Sequence, residues 1–123
     1  MGYYTNFELN TKWNNYPINE IATYMKKKNQ GSDWFYPFEY EIDEILFDTS
    51  KLDFSFGWTE KAKWYDHDKE MIDLSKQFPK TVFCLYGEGE ENEDIWYTYY
   101  KNGKQQYCPV KMTFDEYDES KLV

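Results

Sequence analysis

Arginine is absent from this sequence, and histidine occurs only once, as His67. Arginine is the commonest reader of bases, and basic patches supply most of the affinity for nucleic acid, so we expect no direct binding to DNA or RNA. One histidine excludes a histidine-based zinc set, and the two cysteines are too far apart in the chain for a C-x-x-C pair. The composition therefore argues against a nucleic-acid-binding protein and against a structural zinc protein.

Long apolar runs are also missing. No run approaches the roughly 20 residues of a membrane-spanning helix, so we expect no membrane partner. The first residues, Met1-Gly2-Tyr3-Tyr4, are not typical of a secretory signal peptide, and we expect a cytoplasmic protein. In a reducing compartment Cys84 and Cys108 remain thiols by default. A disulfide between them stays open, because both lie on predicted strands and the sequence does not place their Cα atoms.

Two features are abundant instead: aromatic residues and negative charge. Aromatic residues make up 22% of the chain, far more than in a disordered protein, which indicates one folded domain over residues 1–123 with an acidic tail from about residue 115. The many tyrosines either pack on a sheet or form a contact surface, because tyrosine is a preferred binding anchor. The formal net charge of −9 either favours a basic partner or only keeps the protein soluble.

The C-terminal half predicts one helix followed by three strands. Met71, Leu74 and Phe78 recur at helical spacing, and Asp66 precedes them as an expected side-chain cap, which predicts a helix over 66–77. Three later runs are rich in apolar, β-branched and aromatic residues and predict strands. These runs span 81–86, 94–101 and 104–112.

The connections in this half carry turn signals. Glycines and glutamates over 87–93 indicate a loop. Asn102-Gly103 predicts a tight hairpin turn, because both residues tolerate positive φ. Pro109 lacks a backbone donor, so the last strand is expected at a sheet edge or with a bulge.

The N-terminal half predicts a strand over 3–9, from alternating apolar and polar residues, and a helix from Pro17 to about Gly31. Alternation predicts further strands over 38–43, where one face is acidic, and over 52–56, ending at Gly57. The segment 11–16 is polar and predicted to be a loop. The order of elements predicts an α+β sandwich with two helices on one face of a mostly antiparallel sheet.

No residue set in the sequence specifies a reaction. His67 beside Asp66 and Asp68 is typical of a solvated helix start. A Cys84–His67 nucleophile pair stays open, although a cysteine inside a strand is usually an inert core residue. The acidic segment 87–94 lacks the spacing of a calcium hand. We therefore predict no catalytic residue, no metal site and no cofactor.

Acidic residues interleaved with aromatic residues are the main candidate for function. Such a surface suits a basic groove, because carboxylates take the places of phosphates, aromatic side chains supply desolvated anchors, and the charge speeds encounter. The predicted partner-binding residues are Glu39, Glu41, Asp43, Glu44, Glu88, Glu90, Glu91, Glu93, Asp94, Trp96, Tyr97 and Tyr99.

The run KWYDHDKEM…LSKQFPKTVFCLYGEGEENEDIWYTYYKNGK over 63–104 resembles small phage and mobile-element proteins of ferredoxin-like type. Its most specific part is the GEGEE…DIW block, and the N-terminal half carries no such resemblance. The resemblance implies a ferredoxin-like sandwich with two helices and no enzymatic activity. It supplies no functional residues.

The phage resemblance implies a function by analogy, because many small acidic phage proteins are anti-CRISPR or other anti-defence inhibitors. We expect an inhibitor that binds a basic, nucleic-acid-binding surface of a CRISPR-Cas effector or another host nuclease in the host cytoplasm. The alternative is a small-ligand or metal-binding ferredoxin-like module. A homodimer through an edge strand also stays open.

Overall fold

The computed structural model describes residues 2–11, 17–47 and 55–123, and over 55–60 it describes the backbone alone. The strands and helices of these residues follow in chain order. They are β1 (Thr5–Thr11), α1 (Ile18–Gln30), α2 (Glu39–Phe47), β2 (Ser55–Ala62), α3 (His67–Gln77), β3 (Phe83–Gly89), β4 (Ile95–Lys101) and β5 (Lys104–Pro109), with 3-10 turns at Tyr36–Phe38 and Glu119–Lys121. The predicted α+β class is confirmed.

The five strands form one sheet in the order β2-β1-β3-β4-β5, and every neighbouring pair is antiparallel. Strands β2 and β3 flank β1 and run parallel to each other, so β2-α3-β3 is a split β-α-β unit. The first crossing differs, because β1 and β2 are direct neighbours joined through two helices, and β3, β4 and β5 form a meander. The ferredoxin-like arrangement predicted from the resemblance is therefore not confirmed.

The acidic segment 38–43 is helical, and the strand predicted there from alternation is wrong. Phe38, Ile42 and Ile45 are buried and recur at helical spacing, whereas Tyr40, which completes the alternation, is 73% exposed. The resulting helix α2 packs mainly against α1. The described residues contain three α-helices, one more than predicted.

Two strands are longer than predicted, because antiparallel pairing with β1 continues through glycine positions. Strand β2 passes Gly57 and ends at Ala62, which lies opposite Thr5. Strand β3 includes Gly87 and Gly89, which lie opposite Phe7 and Thr5. The predicted loop over 87–93 is therefore reduced to a turn around 90–94. The predicted loop at 12–16 and residues 52–54 of the predicted strand lie outside the described residues.

Other local predictions are confirmed. Helices α1 and α3 and strand β4 lie within a few residues of the predicted ranges. Asn102 and Gly103 have φ values of 48° and 78°, as their tight turn requires. Strand β5, with Pro109, lies at the sheet edge. The Asp66 side chain, in contrast, makes no cap hydrogen bond; its backbone carbonyl accepts from the Glu70 N–H at 3.1 Å.

The helices cover one face of the sheet, and the core lies between the two layers. Phe7 and Leu9 of β1 and Leu85 of β3 are buried there against helix residues such as Met25 and Leu74. No helix among the described residues is long and apolar enough to cross a lipid bilayer.

One close contact in this core gives a testable prediction about stability. A Cβ atom at position 87 would lie 2.2 Å from the ring of Trp96, which itself packs against the rings of Phe7 and His67. We expect Gly87→Ala to lower the free energy of unfolding by about 1–3 kcal/mol, measured by urea denaturation.

Gly31→Ala is the matched control. Its Cβ would meet no atom within 4 Å, and φ at Gly31 is −104°, so the variant should be unchanged or stabilised by up to about 1 kcal/mol. A Gly87→Ala protein with the urea midpoint of the wild type would contradict this account of the core.

Candidate functional site

A cavity of about 330 Å³ opens on the helix-covered side of the sheet, near the turn between β3 and β4. Strands β1 and β4, the start of α3 and the edge strand β5 all contribute to its walls. The aromatic members of the lining are Tyr3, Phe7, Trp64, Tyr65, Trp96 and Tyr107. The cavity combines a buried aromatic floor with an exposed aromatic rim, since Tyr65 and Tyr107 are each more than 60% exposed.

The floor is a set of rings packed edge to face and in stacks. The Phe7 ring centroid lies 5.3 Å from Trp64 and 6.1 Å from Trp96, and both contacts are edge-on. The His67 imidazole stacks on Trp96 with centroids 5.2 Å apart and planes inclined by 26°. Such aromatic pairs stabilise a fixed arrangement beyond the area that they bury. The floor is therefore rigid, and it places the imidazole in the cavity wall.

His67 is half-buried, and the prediction of a solvated helix-start residue is wrong. Burial lowers the pKa of its imidazole, outweighing the opposite effect of Asp68, whose Oδ1 lies 3.3 Å from His67 Nδ1. The imidazole is therefore neutral at pH 7. Cys84 alternates with the buried residues Phe83 and Leu85 and so lies on the other face of the sheet. The open question of a Cys84–His67 nucleophile pair is thereby settled against it.

Asp68 is held in place by a buried phenol. The Tyr100 hydroxyl donates a hydrogen bond to Asp68 Oδ1, and Tyr100 is fully buried. Burial first, and then this hydrogen bond, raise the pKa of Tyr100, so the phenol stays protonated and remains a donor. The Asp68 side chain is itself about half-exposed, so its charge faces the cavity opening and solvent.

A second carboxylate is fixed on the opposite side of the cavity by Tyr3. The Tyr3 hydroxyl donates to Asp94 Oδ2 at 2.6 Å and accepts from the Glu91 N–H at 3.1 Å. The Gly89 N–H donates to the Asp94 carbonyl at 2.8 Å and closes the turn. The Tyr3 N–H donates to the Tyr65 hydroxyl at 2.9 Å. These bonds join the N-terminal segment, the β3–β4 turn and the start of α3 at one end of the sheet.

We call this end of the molecule the acidic end. It carries the predicted residues of the β3–β4 turn together with acids from the start of α2 and the approach to α3. A groove next to the cavity is lined by Glu39 and Asp66, with Lys63 and Tyr65 beside them. The acidic residues of this end are Glu39, Asp66, Asp68, Glu88, Glu90, Glu91, Glu93 and Asp94.

Three lysines lie at the other end of the strands. Lys101 and Lys104 flank the β4–β5 turn, and the Lys76 side chain lies against Gly103 in the same turn. Strand β4 separates the two ends by about 20 Å. Three lysines, Lys61, Lys63 and Lys69, lie at the acidic end, where the carboxylates outnumber them. The β3–β4 turn is therefore acidic, and the β4–β5 turn at the other end of β4 is basic.

The four acids predicted on 39–44 do not form one surface. On a helix Glu39 and Asp43 share a face and Glu41 lies on another, so the single acidic face predicted for a strand is wrong. Asp43 Oδ1 pairs with Lys26 Nζ at 2.8 Å. Burial raises the pKa of Glu41, and Glu44 adds to that shift by its charge. Of these four acids, Glu39 lines the groove that Tyr65 also lines.

The three predicted aromatic residues of β4 divide between two faces. Tyr97 and Tyr99 lie on the sheet face that no described helix covers; their rings stack with centroids 6.4 Å apart, and Tyr86 lies 5.0 Å from Tyr97. Trp96 faces the helices and is only 7% exposed, so it is not an exposed anchor as predicted but a wall of the cavity.

The two cysteines are thiols, and the fold keeps them apart. Cys84 lies on β3 and Cys108 on β5, with β4 between them. Two inter-strand spacings amount to about 10 Å, whereas a disulfide requires Cα atoms within about 7 Å. The expected thiol state is confirmed.

The part of the chain that the structure describes contains no set of side chains that could bind a metal ion. Within residues 2–11, 17–47 and 55–123, no group of three or more His, Cys, Asp or Glu side chains lies close enough together to hold a metal ion. The metal-binding alternative therefore has no structural support in these residues.

No pattern in the sequence predicts the cavity itself. Most of its polar and aromatic wall was not among the predicted binding residues. The contact between Tyr3 and Asp94 joins positions 91 residues apart, which no local pattern reveals. Missed lining residues include Tyr3, Trp64, Tyr65, His67, Asp68 and Tyr107.

Comparison with known proteins finds no matching family model, no similar curated protein and no similar solved structure.

The buried imidazole gives a prediction about pH. Its pKa in the folded protein lies below the unfolded value of 6.5, so on acidification the unfolded chain takes up this proton first. The free energy of unfolding should therefore fall as pH drops below about 6.5. His67→Gln, which cannot take up this proton, should lose less stability between pH 7.5 and pH 5.0 in urea denaturation.

Glu70 has the opposite pH dependence, because burial raises its pKa, but both proteins contain it and its effect cancels in the comparison. Equal sensitivity of wild type and His67→Gln to acid would contradict the assignment of a neutral buried imidazole.

Proposed function

We propose that this protein is a non-catalytic, anti-CRISPR-like inhibitor that docks its acidic end on a basic, nucleic-acid-binding surface of a bacterial nuclease effector. The observation that carries the proposal is the collection of carboxylates at one end of the sheet, around a turn held rigid by Tyr3. Basic grooves that bind phosphates are the natural complement of such a surface.

A protein interface needs aromatic anchors as well as complementary charge, and the acidic end also carries exposed aromatic side chains. Tyr4, Tyr36 and Tyr65 are 37%, 38% and 62% exposed, and each lines a groove beside the carboxylates. Tyrosines buried at the centre of an interface contribute a large share of binding energy, while the surrounding charges guide approach. Acidic charge and aromatic anchors thus share one surface.

The charge distribution also favours a protein over a nucleic acid as the partner. The carboxylates of the acidic end repel phosphates, and the chain has no arginine for base contacts. The acidic β3–β4 turn and the basic β4–β5 turn lie at opposite ends of β4, which favours one orientation toward a positively charged groove. The resemblance of residues 63–104 to small phage proteins supports a bacterial nuclease complex as that partner.

The proposal is tested with a panel of purified CRISPR-Cas effectors and other bacterial nucleases. We expect one of them to bind the protein at about 0.1 M salt, to release it at about 1 M salt, where the Debye length falls from about 10 Å to 3 Å, and to lose nucleic-acid binding and cleavage in the complex. No complex with any effector at low salt, or a complex that still binds its nucleic acid, would overturn the proposal.

A pair of charge reversals locates the surface. Glu93→Lys lies in the β3–β4 turn and should lower the association rate constant for the effector by about tenfold. Glu20→Lys changes the net charge equally but lies in the first turn of α1, away from the acidic end, and should change the rate little. Both are exposed positions, and surface plasmon resonance measures both rates. Equal effects of the two variants would mean that net charge, and not the acidic end, controls binding.

A further inference from the structure

The cavity at the acidic end carries negative charge without a compensating cation. Asp68 and Asp94 contribute carboxylates from two sides, and among the described residues no lysine lines the cavity. The one basic group in the wall, His67, is neutral at pH 7. A group entering this cavity therefore meets two negative charges.

The walls between the carboxylates are aromatic faces and edges. Trp96 forms the floor and Tyr107 stands 6.2 Å from it, inclined by 45°, at the exposed rim. Tyr65 closes the other side of the rim. Aromatic faces attract cations through the ring quadrupole, and the rim rings Tyr65 and Tyr107, unlike Trp96, are largely exposed. Carboxylates and aromatic rings therefore favour the same sign of charge in this cavity.

The N-terminus of α3 also lies at the cavity, and a helix N-terminus alone favours an anion. Here that preference is already met by the chain itself, because Asp66 and Asp68 lie at the start of this helix. A phosphate entering the cavity would face Asp68 and Asp94. The cavity is thus unsuited to anions.

We propose that this cavity binds an organic cation, an alkylammonium or a guanidinium group, between Asp68, Asp94 and the aromatic walls. In the inhibitor complex the cation is a lysine or arginine side chain of the partner, and this second statement rests on the proposed function. The volume of about 330 Å³ is at the lower end of ligand pockets, which suits one side chain and not a nucleotide. A flat guanidinium also stacks on aromatic rings, which favours arginine.

The cavity is tested without any partner. Methylguanidinium chloride and butylammonium chloride are titrated into the protein at pH 7.5, with sodium chloride at equal ionic strength as the reference, and the indole N–H signals of Trp64 and Trp96 are followed by NMR. We expect saturable shifts at these two signals with the organic cations alone. Shifts of equal size with sodium chloride, or with none of the salts, would overturn the proposal.

Two neutralised proteins give the matched comparison. Asp68→Asn/Asp94→Asn removes both charges and keeps a carbonyl oxygen to accept from Tyr100 and Tyr3. It should bind methylguanidinium about tenfold more weakly or worse, as expected for lost charge-assisted contacts. Glu91→Gln/Glu93→Gln removes the same charge from side chains that do not line the cavity, and should bind as the wild type does. Equal weakening in both proteins would overturn the site.

The source of the cation is decided in a second arm with the effector. If the source is the partner, methylguanidinium should compete with the effector, and one arginine-to-alanine or lysine-to-alanine change in the effector should weaken the complex as much as Asp68→Asn/Asp94→Asn does. Cation binding without competition would overturn the partner side chain as source and leave a small free amine as ligand. An effector complex whose protein binds no free cation would overturn the cavity and leave the proposed function standing.

Discussion

The contact of the Trp96 ring with the bare Cα of Gly87 is the constraint on which the acidic end depends. Any side chain at position 87 would collide with the ring, so the glycine lets β4 lie flat beside β3 while an indole occupies the helix-covered face. The ring in turn supports His67 by stacking, which fixes where α3 starts. With these positions fixed, the space between α3, β1 and β5 remains open as the cavity. A smaller ring at position 96 would remove the floor of the cavity and the support of the helix together.

Local chemistry made part of this architecture predictable from the sequence. The apolar stripes of α1 and α3, the aromatic strand β4 and the Asn102-Gly103 turn depend on residues close together in the chain, and each follows its local rule. The strand prediction for segment 38–43 was wrong because its apolar residues fit both a strand period and a helix period over this short stretch. The helix forms because it buries Ile42 and Ile45 against α1. Tertiary packing, which cannot be read from the sequence, therefore determines that this segment is a helix and not a strand.

Part of the candidate site could likewise be predicted from the sequence, and part could not. The acids of the β3–β4 turn were recognisable from composition, because five carboxylates within a short glycine-containing segment cannot all be buried. The cavity was not recognisable, because its walls come from residues far apart in the chain, which are joined by hydrogen bonds such as that from Tyr3 to Asp94. His67 shows the limit most clearly: two acidic neighbours in the chain indicate a solvated imidazole, and two aromatic rings from distant strands bury it.

The exposed carboxylates and the cavity act over different distances, so they have different roles in the proposed complex. Exposed carboxylates act over roughly a Debye length, about 8 Å at physiological salt, so they govern how often and in which orientation a basic surface arrives. A cation in the proposed complex would contact Asp68, Asp94 and the rings at short range, and such contacts would govern how slowly the complex separates. In the proposed complex, the aromatic cavity within the acidic end would add to this general electrostatic attraction a selection for a surface that presents one protruding cationic side chain.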